Sequence, residues 1–125
     1  IINRTERYLN PKFPWNEILE KYGDQCYFVG SKTEHLKFCN NFRYVDYLDT
    51  STIISLVEVV LGSKLVIGNM SFPVALCEGF KHNCLVESGV DVRSNNYERH
   101  NINVPDPDNI NTQNVLEFIE KYVNF

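Results

Sequence analysis

The sequence has no long hydrophobic run and no excess of cations, and each of these gaps excludes a class of protein. Its longest apolar stretch, residues 53–61, is interrupted by Ser55 and Glu58 and is less than half of the roughly 20 residues that a membrane-spanning helix needs. Twelve lysines and arginines stand against sixteen aspartates and glutamates, for a net charge of −4. Nonspecific nucleic-acid binding needs a concentrated cationic surface. We therefore expect neither a membrane span nor a nucleic-acid partner.

The sequence also lacks closely paired cysteines. Cys26, Cys39, Cys77 and Cys84 lie in separate apolar stretches, without a CxxC pair or clustered histidines. A structural zinc site needs ligands in close pairs, so no metal is expected. Isolated cysteines of this kind are typical of reduced thiols in a core. Together with the absence of a recognisable secretion signal, they indicate a cytoplasmic location.

Familiar catalytic motifs are missing as well. There is no GxGxxG after a strand, no GxxxxGK[ST] loop and no GxSxG elbow, so dinucleotide, P-loop and serine-hydrolase sites have no support. His35, His82 and His100 are far apart in the sequence and have no obvious nucleophile beside them. We interpret them as surface histidines.

Short β-branched runs alternate with helical periodicity along the chain. Strands are predicted over residues 1–3, 26–29, 43–47, 65–67 and 84–86, with a helix between successive strands and a last helix over residues 112–122. The helix starts carry local signals: Pro14, an S-x-x-E capping box at Ser31 and Glu34, and a cap at Ser51 or Thr52. Residues 89–111 are rich in proline and asparagine and are predicted to be an irregular connection with at most one short element.

This alternation predicts a Rossmann-like three-layer α/β sandwich. Helical crossovers between strands give a mostly parallel sheet, here of about five strands, in a single domain over residues 1–125. The apolar content of 43% is enough for one packed core. Because the chain opens at Ile1 inside a strand-like segment, we interpret it as a fragment of a longer, two-domain chain.

Ligands of such sheets bind beyond the carboxyl ends of the strands, so the residues after each strand are the candidates. Thr5, Arg7 and Lys12 follow the first strand and suit an anionic group, since arginine and lysine form charge-assisted bonds with phosphate. An ordinary solvated loop is the alternative. Glu34 follows the second strand, where a carboxylate could accept ribose hydroxyls or serve the capping box, and we expect that it cannot fully satisfy both roles at once.

The turn after the fourth strand is the second candidate. Asn69, Met70 and Ser71 form a small-residue turn that opens a helix, and a helix N terminus offers free N–H groups and a positive dipole end to phosphate. A plain N-capped helix is the alternative. Glu78 lies inside the otherwise apolar helix that follows. It must face water or meet a partner, which makes it a further candidate.

Three segments carry a resemblance to a known family. TSTIISLVEVVLGSKLVIGNMSFPVALCEGFKHNCLVES, around residues 51–87, looks like the C-terminal half of a GT-B glycosyltransferase of the heptosyltransferase-like kind. There, an apolar helix leads into a strand, a G-N-x-S turn, a helix with an internal glutamate and a strand ending in glutamate. IINRTERYLNPKFPW is similar to the opening of that half, a strand followed by a Thr/Arg/Lys phosphate loop and a Pro-Trp helix start, and CYFVGSKTEHLKF resembles its strand-Gly-x-x-x-Glu segment.

The resemblance implies a nucleotide-sugar donor site and metal-independent glycosyl transfer from a nucleoside-diphosphate sugar, with no other cofactor. Catalytic residues are not assigned, and an N-terminal acceptor-binding domain would be the partner. By position, three groups of residues would hold the donor: Thr5, Arg7 and Lys12 at the diphosphate; Asn69, Met70 and Ser71 against the phosphates; and Glu34 and Glu78 at the ribose or sugar.

The sequence departs from the family at the turn, where heptosyltransferases usually carry Asp, Gly and His. Met70, Phe72 and Ala75 occupy those positions. These departures argue against heptose as the sugar. Because GT-B enzymes use two Rossmann-like halves, with the acceptor in the cleft between them, activity is expected only in a full two-domain chain, with the isolated domain inactive. The alternative is a noncatalytic binding or interaction module on the same scaffold. A flavodoxin- or receiver-like domain ranks last, because receiver domains need clustered acidic residues after the first strand and the residues there are mainly cationic.

Overall fold

The computed structural model describes residues 1–89 and 101–123, which form an α/β fold with one parallel sheet. The strands are β1 (Ile2–Asn3), β2 (Tyr27–Phe28), β3 (Asp46–Tyr47), β4 (Val66–Gly68), β5 (Cys84–Val86) and β6 (Ile102–Asn103). The helices are α1 (Trp15–Tyr22), α2 (Lys32–Asn41), α3 (Ile53–Gly62), α4 (Phe72–Phe80) and α5 (Thr112–Val123). A single 3-10 turn, Gly23–Gln25, follows α1.

The predicted Rossmann-like fold is confirmed, with one strand more than expected. The additional strand, β6, pairs with β5 and lies in the segment predicted to be an irregular connection. Residues 90–100 of that connection lie outside the described residues. None of the described helices combines the length and the hydropathy of a membrane-crossing segment.

The strand order β3-β2-β1-β4-β5-β6 places β1 and β4 side by side at the centre of the sheet. Ile2 pairs with Ile67 and Asn3 with Gly68. The chain leaves β1 toward β2 on one side and leaves β4 toward β5 on the other. This reversal is the switch point at which open α/β sheets bind ligands, beyond the carboxyl ends of the strands.

Alternating strand residues build a core on each face of the sheet, as the two-residue period of a strand requires. Ile2, Ile67 and Leu85 pack into the larger core, to which α1, α2 and α5 contribute. Val66 and Val86 pack into the smaller core beneath α3 and α4. Helices therefore cover both faces, and the loops that join them to the strands lie at the edges.

All four cysteines are free thiols. Cys77 and Cys84 are fully buried in the smaller core, whereas Cys26 and Cys39 are half-buried. A hydrogen bond with Cys77, together with burial, raises the pKa of the Cys84 thiol well above its usual value, and burial raises the pKa of Cys26. Cys26 and Cys84 therefore stay protonated at neutral pH and behave as small core residues.

Side chains cap α2 and α3 as the local sequence predicts. Ser31 Oγ accepts a hydrogen bond from Glu34 N at 3.1 Å, and Glu34 Oε1 accepts one from Ser31 N at 3.0 Å. At the start of α3 the cap is Thr52, which forms a reciprocal pair with Ser55. Both helices begin beyond the carboxyl ends of their preceding strands, so their N termini face the same edge as the switch point.

Replacing Ser31 with alanine is expected to lower the free energy of unfolding by about 1 kcal/mol, because Glu34 N loses its acceptor. Urea denaturation would measure the change. Ser51→Ala is the matched control, since this exposed serine precedes the cap Thr52 without serving as one. Equal effects of the two substitutions would contradict the assignment.

Candidate functional site

The candidate site lies at the carboxyl edge of β1 and β4. A long loop, residues 4–14, follows β1, and the short turn of residues 69–71 joins β4 to α4. Gly68 at the end of β4 passes so close to β1 that a Cβ there would lie 2.6 Å from the carbonyl oxygen of Asn3. The absence of a side chain at Gly68 lets the two strands meet at the crevice.

Asn69 ties the loop after β1 to the turn after β4. Its side chain is fully buried, and Oδ1 accepts hydrogen bonds from Thr5 N at 3.0 Å and Thr5 Oγ1 at 3.3 Å. Nδ2 donates to Thr5 O at 3.1 Å and to Arg7 O at 2.6 Å. All four hydrogen-bonding positions of the amide are thus used within the chain, and a ligand would meet this residue only through its backbone.

Helix α4 begins at this junction without a side-chain cap. Ser71 occupies the N-cap position, but its hydroxyl donates to Asn69 O at 3.0 Å instead of accepting from the helix. By contrast, side chains cap α2 and α3, and Asn111 Oδ1 accepts from Asn114 N at the start of α5. The first-turn N–H groups of α4 therefore have no side-chain acceptor among the described residues.

The loop after β1 is anchored a second time at the end of β5. The Glu87 carboxylate is fully buried and accepts from Arg4 Nε at 2.7 Å and Arg4 Nη2 at 2.8 Å. Trp15 Nε1 donates to it at 2.8 Å and Asn10 N at 2.7 Å. Asn10 Nδ2 also donates to the backbone oxygens of Ser88 and Pro107, each at 3.1 Å. These bonds hold both ends of the loop against the sheet.

Between the two anchors the backbone is strained at Tyr8. Its φ is 60°, in the left-handed region that bulky residues rarely adopt. The fixed positions of Arg7 O and Asn10 N on either side explain why this conformation persists. The Arg7 guanidinium lies 5.5 Å from the Tyr8 ring, and among the described residues it has no carboxylate partner. Within residues 1–89 and 101–123, the loop thus presents a cation without a counterion.

A cavity of about 320 Å³ opens between this loop and α2. Thr5 and Glu34 line it, and an ion pair between Glu6 and Lys37 joins its two sides. Glu34 Oε1 serves the capping box, while its Oε2 accepts no hydrogen bond from the described part of the chain. Asn3 is only 3% exposed and lies beside Gly30 and Glu34. Its Oδ1 likewise has no partner within residues 1–89 and 101–123.

The structure brings together most of the residues predicted from the sequence. Thr5, Arg7, Asn69 and Ser71 meet at the switch point, with the half-buried Met70 in the turn between Asn69 and Ser71. Glu34 shares the cavity with Thr5.

Two predicted residues are placed apart from this group. Lys12 is exposed and follows Asn10, whose side-chain Oδ1 accepts from Lys12 N at 2.9 Å, near the Glu87 anchor. Glu78 lies seven residues after Ser71, which is about 10 Å along the helix axis. The structure therefore does not bring Glu78 to the N terminus of α4.

Sequence reasoning missed Asn3 and the buried network of Arg4, Asn10, Trp15 and Glu87. A signal was present, because Arg4 and Glu87 each follow directly after a buried strand, and charged residues at such positions must be paired or face the ligand. The sequence does not distinguish a paired residue from one that faces a ligand, because the pairing of Arg4 with Glu87 joins residues 83 positions apart.

The remaining polar groups lie elsewhere. His35 Nε2 donates to Val45 O at 2.7 Å, and His82 contacts Ser63 at the opposite edge of the sheet, where burial lowers its pKa. His100 lies outside the described residues.

A larger cavity of about 500 Å³ opens at the edge of the sheet opposite the candidate site, but its lining is mostly apolar. Within the described ranges, no three metal-ligating side chains come together.

No protein-family model, curated protein or solved structure matches this chain.

Proposed function

We propose that this chain is the nucleotide-sugar donor-binding domain of a GT-B-type glycosyltransferase. The observation that carries the proposal is the uncapped N terminus of α4 at the switch point, beside the loop that carries Arg7. An anionic group suits this position, because the N–H groups of the first helical turn and the helix dipole favour negative charge. The resemblance of the sequence to the heptosyltransferase-like half points to a donor diphosphate as that group.

Arg7 is the side chain best placed to bind the diphosphate. Its carbonyl oxygen is held by Asn69, so the base of the side chain is fixed next to the start of α4. A guanidinium can form two parallel bonds with phosphate oxygens. Thr5 and Ser71 border the same junction and could donate hydroxyl groups once a ligand displaces their present bonds. Lys12 would contribute from further along the loop.

The nucleoside would extend into the cavity that Thr5 and Glu34 share. Ribose hydroxyls are donors, and Glu34 Oε2 is an acceptor not used by the capping box. Capping and ribose binding are therefore compatible, because the two roles use different oxygens. Glu78 would serve as a sugar contact only if the donor reached down the side of α4.

The chemistry of this site would be stabilisation of the leaving nucleoside diphosphate. Fixed dipoles and cations that need no rearrangement stabilise developing charge more strongly than water does. Here the α4 N terminus and Arg7 would compensate the charge that forms on the diphosphate as the glycosidic bond breaks, without a metal ion. The acceptor and its general base would come from the N-terminal domain of the full chain.

The alternative, a noncatalytic binding module, also has a specific observation in its favour. Met70, Phe72 and Ala75 are apolar or small at the turn where the family usually has Asp, Gly and His, and the amide of Asn69 is saturated. A chain that spans both domains separates the two proposals. Release of nucleoside diphosphate from the donor favours transfer or hydrolysis, whereas binding without release favours the module.

Calorimetric titration with ADP, UDP and GDP tests the donor site directly. We expect one of them to bind, and Arg7→Gln to weaken its binding about tenfold, which corresponds to the loss of one charge-assisted contact of about 1.4 kcal/mol. Lys121→Gln in the last turn of α5 is the matched control and should leave the affinity unchanged. Absence of binding at millimolar nucleotide would contradict the proposal, as would equal effects of the two substitutions.

A further inference from the structure

Helices α3 and α4 pack side by side on one face of the sheet and expose large apolar side chains. Ile53 and Ile54 are each 71% exposed, Phe80 is 57% exposed and Phe72 is 50% exposed. Leu61 is 40% exposed. These five side chains account for half of the large exposed hydrophobic residues in the described part of the chain, so the exposure is concentrated on two neighbouring helices.

The exposed side chains form two rows. Residues four positions apart lie on the same side of a helix, and each row has this spacing. The rows consist of Ile53, Val57 and Leu61 on α3 and of Phe72, Leu76 and Phe80 on α4, and in each row the middle residue is half-buried while the outer two are exposed. Both helices run antiparallel to the strands, so the rows run in the same direction. We call these six residues and Ile54 the α3–α4 ribbon.

The seven residues of the ribbon are uncharged, and one charged residue, Glu58, borders them on α3. The charged residues within the two helices are Glu58 and Glu78. Glu58 lies four positions after Ile54 and three before Leu61, so it borders the ribbon on α3, and it also lines the apolar cavity near β2. Glu78 lies two positions from Leu76 and from Phe80, which puts it on a different side of α4. A surface helix normally turns polar residues outward, and a helix that is apolar all round is normally buried. The composition of α3 and α4 is therefore that of helices covered on their outer side.

The exposed apolar area of the ribbon indicates how large a partner surface would cover it. From the exposed fractions, and with about 150–250 Å² for a fully exposed large side chain, it presents on the order of 600 Å² of apolar surface. This is at the upper end of what monomers expose and approaches the roughly 800 Å² that each partner buries in a standard interface.

We propose that this chain forms a two-fold dimer in which the α3–α4 ribbon of one copy packs on that of the other. A second copy offers a surface of the same length with the same apolar side chains, and Glu58 of each copy lies beside the contact. The contact is isologous and closes on itself, and four helices in two layers pack at the usual distance of about 8–10 Å between axes. The dimer goes beyond the donor site and does not depend on it.

Sedimentation equilibrium over roughly 1 to 100 μM protein tests the dimer, and we expect a mass twice 14.6 kDa with a Kd on the order of 1–10 μM. Ile54→Glu and Phe80→Lys should each weaken association on the order of a hundredfold, because each buries a charge twice in a symmetric interface. The helix dipole favours a negative charge near the start of α3, where Ile54 lies, and a positive charge at the end of α4, where Phe80 lies. Circular dichroism would verify the fold of each variant. If one of the two variants fails to fold, the other still tests the proposed interface.

Leu36→Glu is the matched control. Leu36 is 60% exposed on α2, outside the ribbon, so this substitution should leave the dimer intact. A wild-type mass of one chain at 100 μM would overturn the proposal and point to a different covering partner. The proposal also fails if Leu36→Glu weakens association as strongly as the ribbon substitutions, or if both ribbon variants dimerise like the wild type.

Discussion

Replacing Arg4 with methionine is expected to lower the free energy of unfolding by about 3–5 kcal/mol, because it leaves a buried carboxylate without its counterion. The Glu87 side chain is fully buried and that of Arg4 is 11% exposed, so water cannot take over the role of the guanidinium. Trp15 Nε1 and Asn10 N would still donate to the carboxylate, but neither neutralises it. Urea denaturation with unchanged m values would measure the loss.

An exposed ion pair provides the comparison for this substitution. Lys37 and Glu6 also form a salt bridge, but their side chains are 56% and 57% exposed, and exposed pairs contribute about 0–1 kcal/mol. Lys37→Met should therefore have a small effect. If Arg4→Met were no more destabilising than Lys37→Met, the Glu87 network would not anchor the loop. Adding Glu87→Gln to Arg4→Met should recover part of the loss, because the uncompensated charge is then gone.

Replacing Asn69 with alanine is expected to lower the free energy of unfolding by about 2–4 kcal/mol and to weaken nucleotide binding at least tenfold. The substitution removes the partners of Thr5 N, Thr5 O and Arg7 O, and each unsatisfied buried group costs about 1–3 kcal/mol, reduced where water can reach it. Binding should fall even though the amide has no bond left for a ligand, since Arg7 would lose its fixed position beside α4. Urea denaturation and calorimetric titration would measure the two effects.

Asn101→Ala separates the role of Asn69 from the general loss of an asparagine. The Asn101 side chain donates one hydrogen bond, to His82 O at 2.7 Å, at the opposite edge of the sheet. Its removal should cost about 1 kcal/mol and leave nucleotide affinity as in the wild type. If Asn69→Ala destabilised the chain but bound nucleotide normally, the loop would be a structural element and not part of a donor site.

The fold could be predicted from the sequence because its signals are local. The capping box of Ser31 and Glu34 spans three residues, and the apolar rows of the helices and the β-branched strand runs repeat over short windows. β1, β2 and β3 are shorter than predicted, since propensity marks every residue that suits a strand while the ladder keeps only those with a partner. β4 is shifted by one residue and β5 matches the prediction. Strand β6 has only two residues and lies in a polar segment, which left too weak a pattern to predict.

The candidate site was predictable only in its location. The rule that ligands bind after the strands at the switch point selects Thr5, Arg7 and Ser71 from the sequence alone. What their side chains do depends on pairings between distant parts of the chain. Asn69 looked like a ligand contact because of its position in the turn, yet its amide is bonded entirely to the loop after β1. No local pattern distinguishes these two uses of one asparagine.

The anchoring of the loop after β1 sets the order in which the site can form during synthesis. Arg4 pairs with a residue 83 positions later, and Asn10 bonds to the carbonyl oxygen of a residue 97 positions later. When the first strand leaves the ribosome, the groups that hold its loop have not yet been made. The loop after β1 thus emerges well before its partners, and it reaches its final conformation only after Pro107, 97 positions beyond Asn10, has also emerged.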